Sequence, residues 1–245
     1  MLNIIIPLAS KKFETDNENY LYPLPLIDIK GKALIEYLLE NLDAIKEEKR
    51  FIFIVKDQDC KQFHLDSVLK QLIENSTIVK IQGQTKGAIC SVLYAIDDLD
   101  IDEELIVVNS DQVIVTDYNV VLDYLRDYDG GVITFNSVHP RWSYIRAIEN
   151  QVVETAEKNP ISNKAIAGFY YFKKGKDFIS GAFDVIKFDE QHNGNYFISS
   201  VYNQLILRGK IIGFKEILKE NYYSFYSPQK IKEFEDFLKL NNGKI

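Results

Sequence analysis

Apolar and polar positions follow two rhythms along this chain. Residues 2–6 form a short, largely β-branched apolar run closed by Pro7, which predicts a buried strand. Across residues 32–45, Leu34, Ile35, Leu38, Leu39, Leu42 and Ile45 recur at helical spacing and predict an amphipathic helix. The same reading predicts a strand at 51–55, a helix at 60–73, a strand at 78–81, a helix at 87–96 and a strand at 105–108. Strands that alternate with helices predict βαβ units, hence a parallel sheet covered on both faces.

The rhythm changes after about residue 130. Residues 131–136 predict a strand, and 144–148 with 152–156 predict a hairpin turning at Glu149-Asn150-Gln151. An aromatic-rich strand is expected at 165–172 and helices at 177–187 and 197–207, the second closed by Gly209 as its C′ residue. A late strand at 211–214 precedes a terminal helix with Ser227 as N-cap and Pro228 at its first position. The fold class predicted is α/β: a Rossmann-like, mostly parallel sheet with a mixed antiparallel C-terminal part. No linker or repeat interrupts it. One domain over 1–245 is expected, with a nucleotide-type half at 1–128 and an acceptor half at 129–245.

Composition narrows the function. The chain has 245 residues, 29 Lys and Arg against 36 Asp and Glu, and a formal charge of −7, which argues against a non-specific nucleic-acid binder. No apolar run approaches the roughly 18 residues of a spanning helix, and no secretory signal precedes the first strand, so a cytoplasmic protein without membrane contact is expected. Two cysteines, Cys60 and Cys90, make no disulfide framework, and His64, His139 and His192 lack metal-ligand spacing. The aromatic tail, Tyr222, Tyr223, Phe225 and Tyr226, either covers the sheet, the preferred reading, or buries the face of a homo-oligomer.

In open α/β sheets ligands bind beyond the carboxyl ends of the strands. Three segments should therefore meet on one rim: Pro7-Leu8-Ala9-Ser10-Lys11-Lys12-Phe13, Gln82-Gly83-Gln84-Thr85-Lys86-Gly87-Ala88, and Asn109-Ser110-Asp111-Gln112. Gly87 at a helix start permits close backbone approach, and the free N–H groups there attract an anion or a base carbonyl, unless the glycine only tightens a turn. Gln82 and Gln84 carry amides that can read a base edge, and with Thr85 they suit a pyrimidine. Asp111 suits Mg²⁺, which needs only one or two protein carboxylates when phosphates supply further ligands, or else it caps a turn. Glu157 and Lys158 can bind a hydroxyl and a phosphate, or else form an exposed ion pair in a turn, and Gly168 in a strand marks a close approach. His139-Pro140-Arg141-Trp142 offers groups that touch an anion or stack on a ring, or a solvated turn.

In order and spacing, these segments resemble the sugar nucleotidyltransferases, the nucleoside-diphosphate-sugar pyrophosphorylase group related to GT-A glycosyltransferases. The stretches that carry the resemblance are IIIPLA (4–9), YPLPLIDIKGKALIEYLLENL (22–42), TKGAICSVLYA (85–95), VVNSDQ (107–112), DGGVITFNSVHPRWSY (129–144), AEKNPIS (156–162) and AGFYYF (167–172). The closest likeness is to small members found with bacterial capsule and surface-polysaccharide genes. The resemblance implies condensation of an NTP with a sugar phosphate, or a related phosphate, to an activated NDP-sugar and pyrophosphate, with Mg²⁺ as cofactor. It implies that Lys11, Lys12 and Asp111 serve catalysis, with Asp111 holding the metal. Leu8, Ala9, Ser10, Gln82, Gln84, Gly87, Ala88 and Ser110 would bind the nucleotide, and Gln112, Glu157, Lys158, Gly168 and Tyr170 the sugar phosphate.

The chain departs from the family pattern in three places. Its first loop lacks the glycines and the Arg of G-x-G-x-R, so Lys11 or Lys12 would act as point charges. The family's Lys-Pro-Leu is Leu24-Pro25-Leu26, which leaves Lys86 or Lys11 to reach the same phosphate, and residues 221–228 hold no Asp for a second metal contact. Two other readings follow from these residues. A GT-A glycosyltransferase would want Asp-x-Asp where Asn109-Ser110-Asp111 stands. A catalytically degraded homologue would bind nucleotide without turnover.

Overall fold

The computed structural model describes residues 1–8, 22–241 and 243. Its centre is a nine-stranded sheet. The N-terminal half supplies β1 (Leu2–Pro7), β2 (Asp28–Ile29), β3 (Lys32–Ala33), α1 (Leu34–Asp43), β4 (Lys49–Lys56), α2 (Asp57–Phe63), α3 (Leu65–Leu72), β5 (Thr77–Ile81), α4 (Ala88–Leu93), β6 (Glu104–Val108), β7 (Gln112–Ile114) and α5 (Tyr118–Leu125). The C-terminal half supplies β8 (Gly130–Asn136), β9 (Ser143–Ile148), β10 (Gln151–Glu157), β11 (Lys164–Phe172), α6 (Gly175–Lys187), α7 (Ile198–Leu207), β12 (Ile212–Ile217), β13 (Tyr222–Ser224) and α8 (Pro228–Leu240).

Strand order is β5-β4-β1-β6-β11-β8-β12-β10-β9. β5, β4, β1 and β6 pair in parallel, as do β8 and β12, whereas β11 runs antiparallel between β6 and β8 and β10 antiparallel beside β12. This is the mixed sheet expected from the change of rhythm after residue 130. The continuous apolar runs have a simple cause. In β1, Ile4 and Ile6 enter one core while Ile5 enters the other, and β4 divides Phe51, Phe53 and Val55 from Ile52 and Ile54 in the same way. Strands covered on both faces have no polar face to show. The first core packs α1, α3 and α5 against the sheet, and the second packs α4, α6 and α7.

Several boundaries differ from the sequence reading, each for a local reason. The helix expected at 32–45 begins at Leu34, because residues 28–33 form a two-stranded hairpin turned through Lys30 and Gly31, both at positive φ. The Glu36 carboxylate then accepts the Ala33 N–H at 2.8 Å and caps the helix. The helix expected at 60–73 is two helices, broken where His64 takes left-handed backbone angles. β7, α5 and β13 were not expected; β7 and β13 pair only with each other, across about a hundred residues of sequence. Gly209 is the C′ residue foreseen: its N–H reaches Ile206 O and that of Lys210 reaches Leu205 O, a Schellman pattern. Pro228 opens α8 as foreseen, but the Ser227 side chain makes no capping bond.

The aromatic tail covers the molecule's own core. Phe225 and α8 residues Ile231, Phe234 and Leu238 form a third core with Leu24, Ile27, Tyr37 and Val113. Among the described residues no helix is long and apolar enough to cross a membrane.

Candidate active site

The carboxyl ends of β1 and β6 are tied together by the Ser110 hydroxyl, which donates to Pro7 O at 2.8 Å. Beside them lies the turn before α4. Gly87 there has φ +101°, and a Cβ on it would stand 2.4 Å from Tyr196 O and 2.6 Å from Tyr196 N. The turn and the 195–197 segment interlock, with Tyr196 N–H donating to Lys86 O (2.8 Å) and Ile89 N–H to Tyr196 O (3.3 Å). Gly87 is therefore required by both φ and close approach. One N–H of the first turn of α4 is committed to Tyr196 rather than free for a ligand. Inside the turn, Thr85 Oγ1 bonds Ser91 Oγ at 2.7 Å.

These segments enclose a cavity of about 360 Å³, lined by Pro7, Gln84, Thr85, Gly87, Ala88, Asn109, Ser110 and Asp111, with Asn195 and Phe197 from the second half. A second cavity of about 250 Å³ adjoins it, with Ala88, Asn109, Asp111 and Phe197 common to both. Glu157, Lys158, Gly168 and Tyr170 line this second cavity, with Arg141, Trp142 and Tyr222. The three loops foreseen at one rim thus meet there as far as they are described, and Asp111 stands where the two cavities join.

Asp111 keeps part of its surface open but is walled by protein, and burial raises its carboxyl above the usual range. Among the described residues no cation pairs with it. Glu157 ends β10 and accepts hydrogen bonds from the Ser143 and Ser199 hydroxyls, the second at 3.0 Å. Burial nonetheless outweighs these bonds and the nearby Lys158 charge, so its carboxyl is also raised. Lys158 Nζ sits 5.0 Å from the Phe197 ring centroid, a cation–π contact on the wall between the cavities.

Gly168 interrupts β11. Its φ is +59°, and the β11–β8 register shifts between Ile166 and Tyr170. A Cβ here would meet the Gln112 and Asn109 amides at 2.5–2.8 Å, so the glycine makes room for both. Its carbonyl accepts the Asn109 N–H at 2.9 Å. The strand bulge thereby holds the 109–112 loop from below. The loop is held from the other side by β13, whose Tyr222 hydroxyl donates to Gln112 Oε1 (3.0 Å), and by Phe225 N–H, which donates to Asp111 O (2.8 Å).

The residues expected from sequence divide clearly. Gln84, Gly87, Ala88, Ser110 and Asp111 line the first cavity, and Asp111, Glu157, Lys158, Gly168 and Tyr170 the second. Three do not fit their expected roles. Leu8 is a core residue with its N–H bound to Ile54 O, because the ladder between β1 and β4 runs on past Pro7. Gln82 opens on a separate depression beside Asp57 and Lys61, because Gly83, at φ +71°, turns the chain between it and Gln84. Gln112 is buried, and both ends of its amide are used, Nε2 by Ala167 O at 2.6 Å and Oε1 by Tyr222, so it is a scaffold rather than a ligand contact. Ala9, Ser10, Lys11 and Lys12 lie outside the described residues. Leu24 packs in the third core and Lys86 is exposed; neither lines either of these two cavities.

The structure adds Asn195 and Phe197, for which the polar stretch before α7 gave no signal, and Tyr222, which sequence placed only as a covering aromatic. Arg141 and Trp142 come from the His-Pro-Arg-Trp segment already singled out. Among the described residues no group of three or more His, Cys, Asp or Glu could hold a metal. The donor set is one desolvated carboxylate without a cation, which fits an ion that takes most of its ligands from phosphates and water.

The fold is shared with solved enzymes. A nucleoside-diphosphate-sugar pyrophosphorylase from Vibrio cholerae RC9 superposes with TM-score 0.85 at 24% identity, covering 95% of this chain and 99% of that one. A Bacillus anthracis protein assigned as a glucose-1-phosphate thymidylyltransferase, in complex with sucrose, gives 0.73 at 14% identity and covers 97% and 95%. A UDP-glucose pyrophosphorylase complexed with UDP-glucose gives 0.73 at 16% identity and covers 98% of each chain. No curated protein matches the sequence significantly. The Nucleotidyl transferase family model matches residues 20–215, a span that contains the α4 turn, the Asp111 loop, the Glu157-Lys158 pair and the Gly168 bulge. With most of its length inside that match, the chain belongs to the nucleotidyl transferase family.

Proposed function

We propose that the enzyme condenses a nucleoside triphosphate with a sugar phosphate, or a related phosphate, to give a nucleotide-activated product and pyrophosphate. One observation carries this: two cavities share a wall, and the carboxylate at their junction is Asp111. The larger cavity takes the nucleotide, with Gln84 and the Thr85–Ala88 turn against the base. The smaller takes the acceptor, with Glu157 toward its hydroxyls and Lys158 toward its phosphate. An oxygen of the acceptor phosphate then attacks the α-phosphorus in line. A new P–O bond forms, the α–β anhydride breaks and pyrophosphate leaves. No protein nucleophile is needed; positioning and charge neutralisation are. Asp111 is the residue that would hold Mg²⁺, which when bound would neutralise phosphate charge. Residues 1–128 serve mainly the nucleotide and 129–245 mainly the acceptor. The likeness to small members of capsule and surface-polysaccharide gene groups supports a product that feeds surface-glycan synthesis in the cytoplasm.

A thermal-shift panel of CTP, UTP, dTTP, GTP and ATP, with and without Mg²⁺, tests the reading. A ligand bound only by the folded state at about 100-fold its Kd adds ~2.7 kcal/mol. A Mg²⁺-dependent shift from one nucleotide is expected, followed by pyrophosphate release with a phosphorylated acceptor. No shift from any triphosphate overturns it.

A further inference from the structure

The acceptor cavity is small. At about 250 Å³ it lies below the range of roughly 300–1,000 Å³ usual for small-molecule sites. Arg141, Trp142 and Tyr222 form one of its walls. The same three residues also line a third cavity of about 480 Å³. The third cavity lies between the loop after β8 and the segment around β13.

Its walls are aromatic. Trp142 meets Phe135, Tyr222 and Tyr226 edge-on, with centroids 5.5–6.2 Å apart. Arg141 lies over this cluster, its guanidinium carbon 3.4 Å from the Tyr226 ring centroid and 5.7 Å from that of Trp142. A guanidinium held by stacking keeps its N–H edge free for a planar or tetrahedral anion. Its Nε contacts only His139 Nδ1, at 3.4 Å, and no described carboxylate pairs with it. Lys219 also faces the cavity without a carboxylate partner among the described residues, whereas Lys230 is paired with Glu233 at 2.5 Å. Three cationic side chains stand against two carboxylates, Glu220 and Glu233, which leaves a positive excess. The wall is rigidly mounted, because Tyr222 is bonded to the Gln112 amide beside Asp111.

We propose that this third cavity extends the acceptor site, and that the acceptor carries a second anionic group, besides the reacting phosphate, that seats against Arg141 over the Trp142–Tyr222–Tyr226 wall. The inference rests on the nucleotidyl-transfer reading and deepens it by naming the acceptor class. Arg141 then acts as a specificity residue. It discriminates between phosphates by what they carry at the far end, because a half-buried cation with no carboxylate partner among the described residues favours the ligand that satisfies it.

Trp142 is the chain's one tryptophan, so its fluorescence reports directly on this wall. The full-length protein, with the nucleotide and Mg²⁺ that pass the thermal-shift panel, is titrated with glucuronic acid 1-phosphate and with glucose 1-phosphate, which differ in one carboxylate. The uronic acid phosphate is expected to bind at least about tenfold more tightly, the effect of one charge-assisted hydrogen bond. It is also expected to change the Trp142 emission. Arg141→Gln is expected to bring the two probes within about twofold, and Arg141→Lys to restore only part of the difference because it keeps the charge but not the planar fork. The nucleotide-induced thermal shift of each variant shows that it is folded. Equal affinities, no binding of either probe, or a preference that survives Arg141→Gln overturns the inference while leaving the nucleotide shift, and so the transfer reading, intact. A failed nucleotide shift is instead the failure of that reading.

Discussion

Ionising a carboxylate that is walled by protein and faces no cation costs free energy, and Asp111 is in that position among the described residues. Its raised folded-state pKa sets the sign of its effect on stability. The stabilising contribution is full below the unfolded carboxyl value and is lost as pH rises through the folded value. At neutral pH the residue therefore works against the fold, which is the sign that the proposed cation-binding role calls for. Asp111→Asn should raise the Tm of the metal-free protein at about pH 7.5 by on the order of 2–4 °C, the equivalent of about 1 kcal/mol in a domain of this size once the opening to the cavity is discounted. The gain should close as pH falls toward about 4, and pyrophosphate release should be lost. Thermal melts across pH check this, and an Asn variant no more stable at pH 7.5 would mean that the carboxylate is compensated. Asp111 and Glu157 were legible as cavity residues because carboxylates at or just after strand ends stand out. Gln112 was misread because nothing local shows that Ala167 and Tyr222 use both ends of its amide.

Elements, rather than single side chains, decide the fate of the Leu24 position. The turn at Leu24–Leu26, the hairpin of β2 and β3, β13 and α8 share one core, with Phe234 edge-on to Tyr37 at 5.3 Å. The family pattern puts a lysine where this chain has Leu24. Here that side chain packs against apolar neighbours instead of reaching a cavity. Leu24→Lys should therefore cost on the order of 2–4 kcal/mol in urea denaturation, the penalty of a buried unpaired charge, with no gain in turnover. A marked rise in pyrophosphate release would show that the position does serve the phosphates. The same core explains why β7 and β13 escaped the sequence reading. Each is three residues long, and each exists because it pairs with the other. Long elements with strong periodicity, such as α1, β1 and β4, were legible to within a few residues, since burial on one stripe or both faces is written in consecutive positions.

At the scale of the molecule, the two halves share one scaffold. β11 from the second half sits between β6 and β8, β13 pairs with β7, and Tyr196 locks the α4 turn. Asn195 and Phe197 line the first cavity from the second half. The segment 1–128 expressed alone should lack a cooperative thermal transition, because β6 loses its neighbour, the third core loses α8, and apolar strand surface is left bare. Circular dichroism and tryptophan-free fluorescence melts would decide it; a sharp transition would show that the halves fold independently.

The sequence alone determined the α/β class, the switch to a mixed sheet after residue 130, and the rim on which the α4 turn and the Asp111 loop meet. All three follow from hydrophobic period and strand order, which are local and repeated many times. Only the tertiary structure decided which polar side chains line a cavity and which brace the frame, that Gly87 and Gly168 make room for Tyr196 and for the Asn109 and Gln112 amides, and that Arg141 lies over an aromatic cavity that shares a wall with the second one. Those facts depend on contacts between residues far apart in the chain, each made once, and single long-range contacts leave no periodic trace in a sequence.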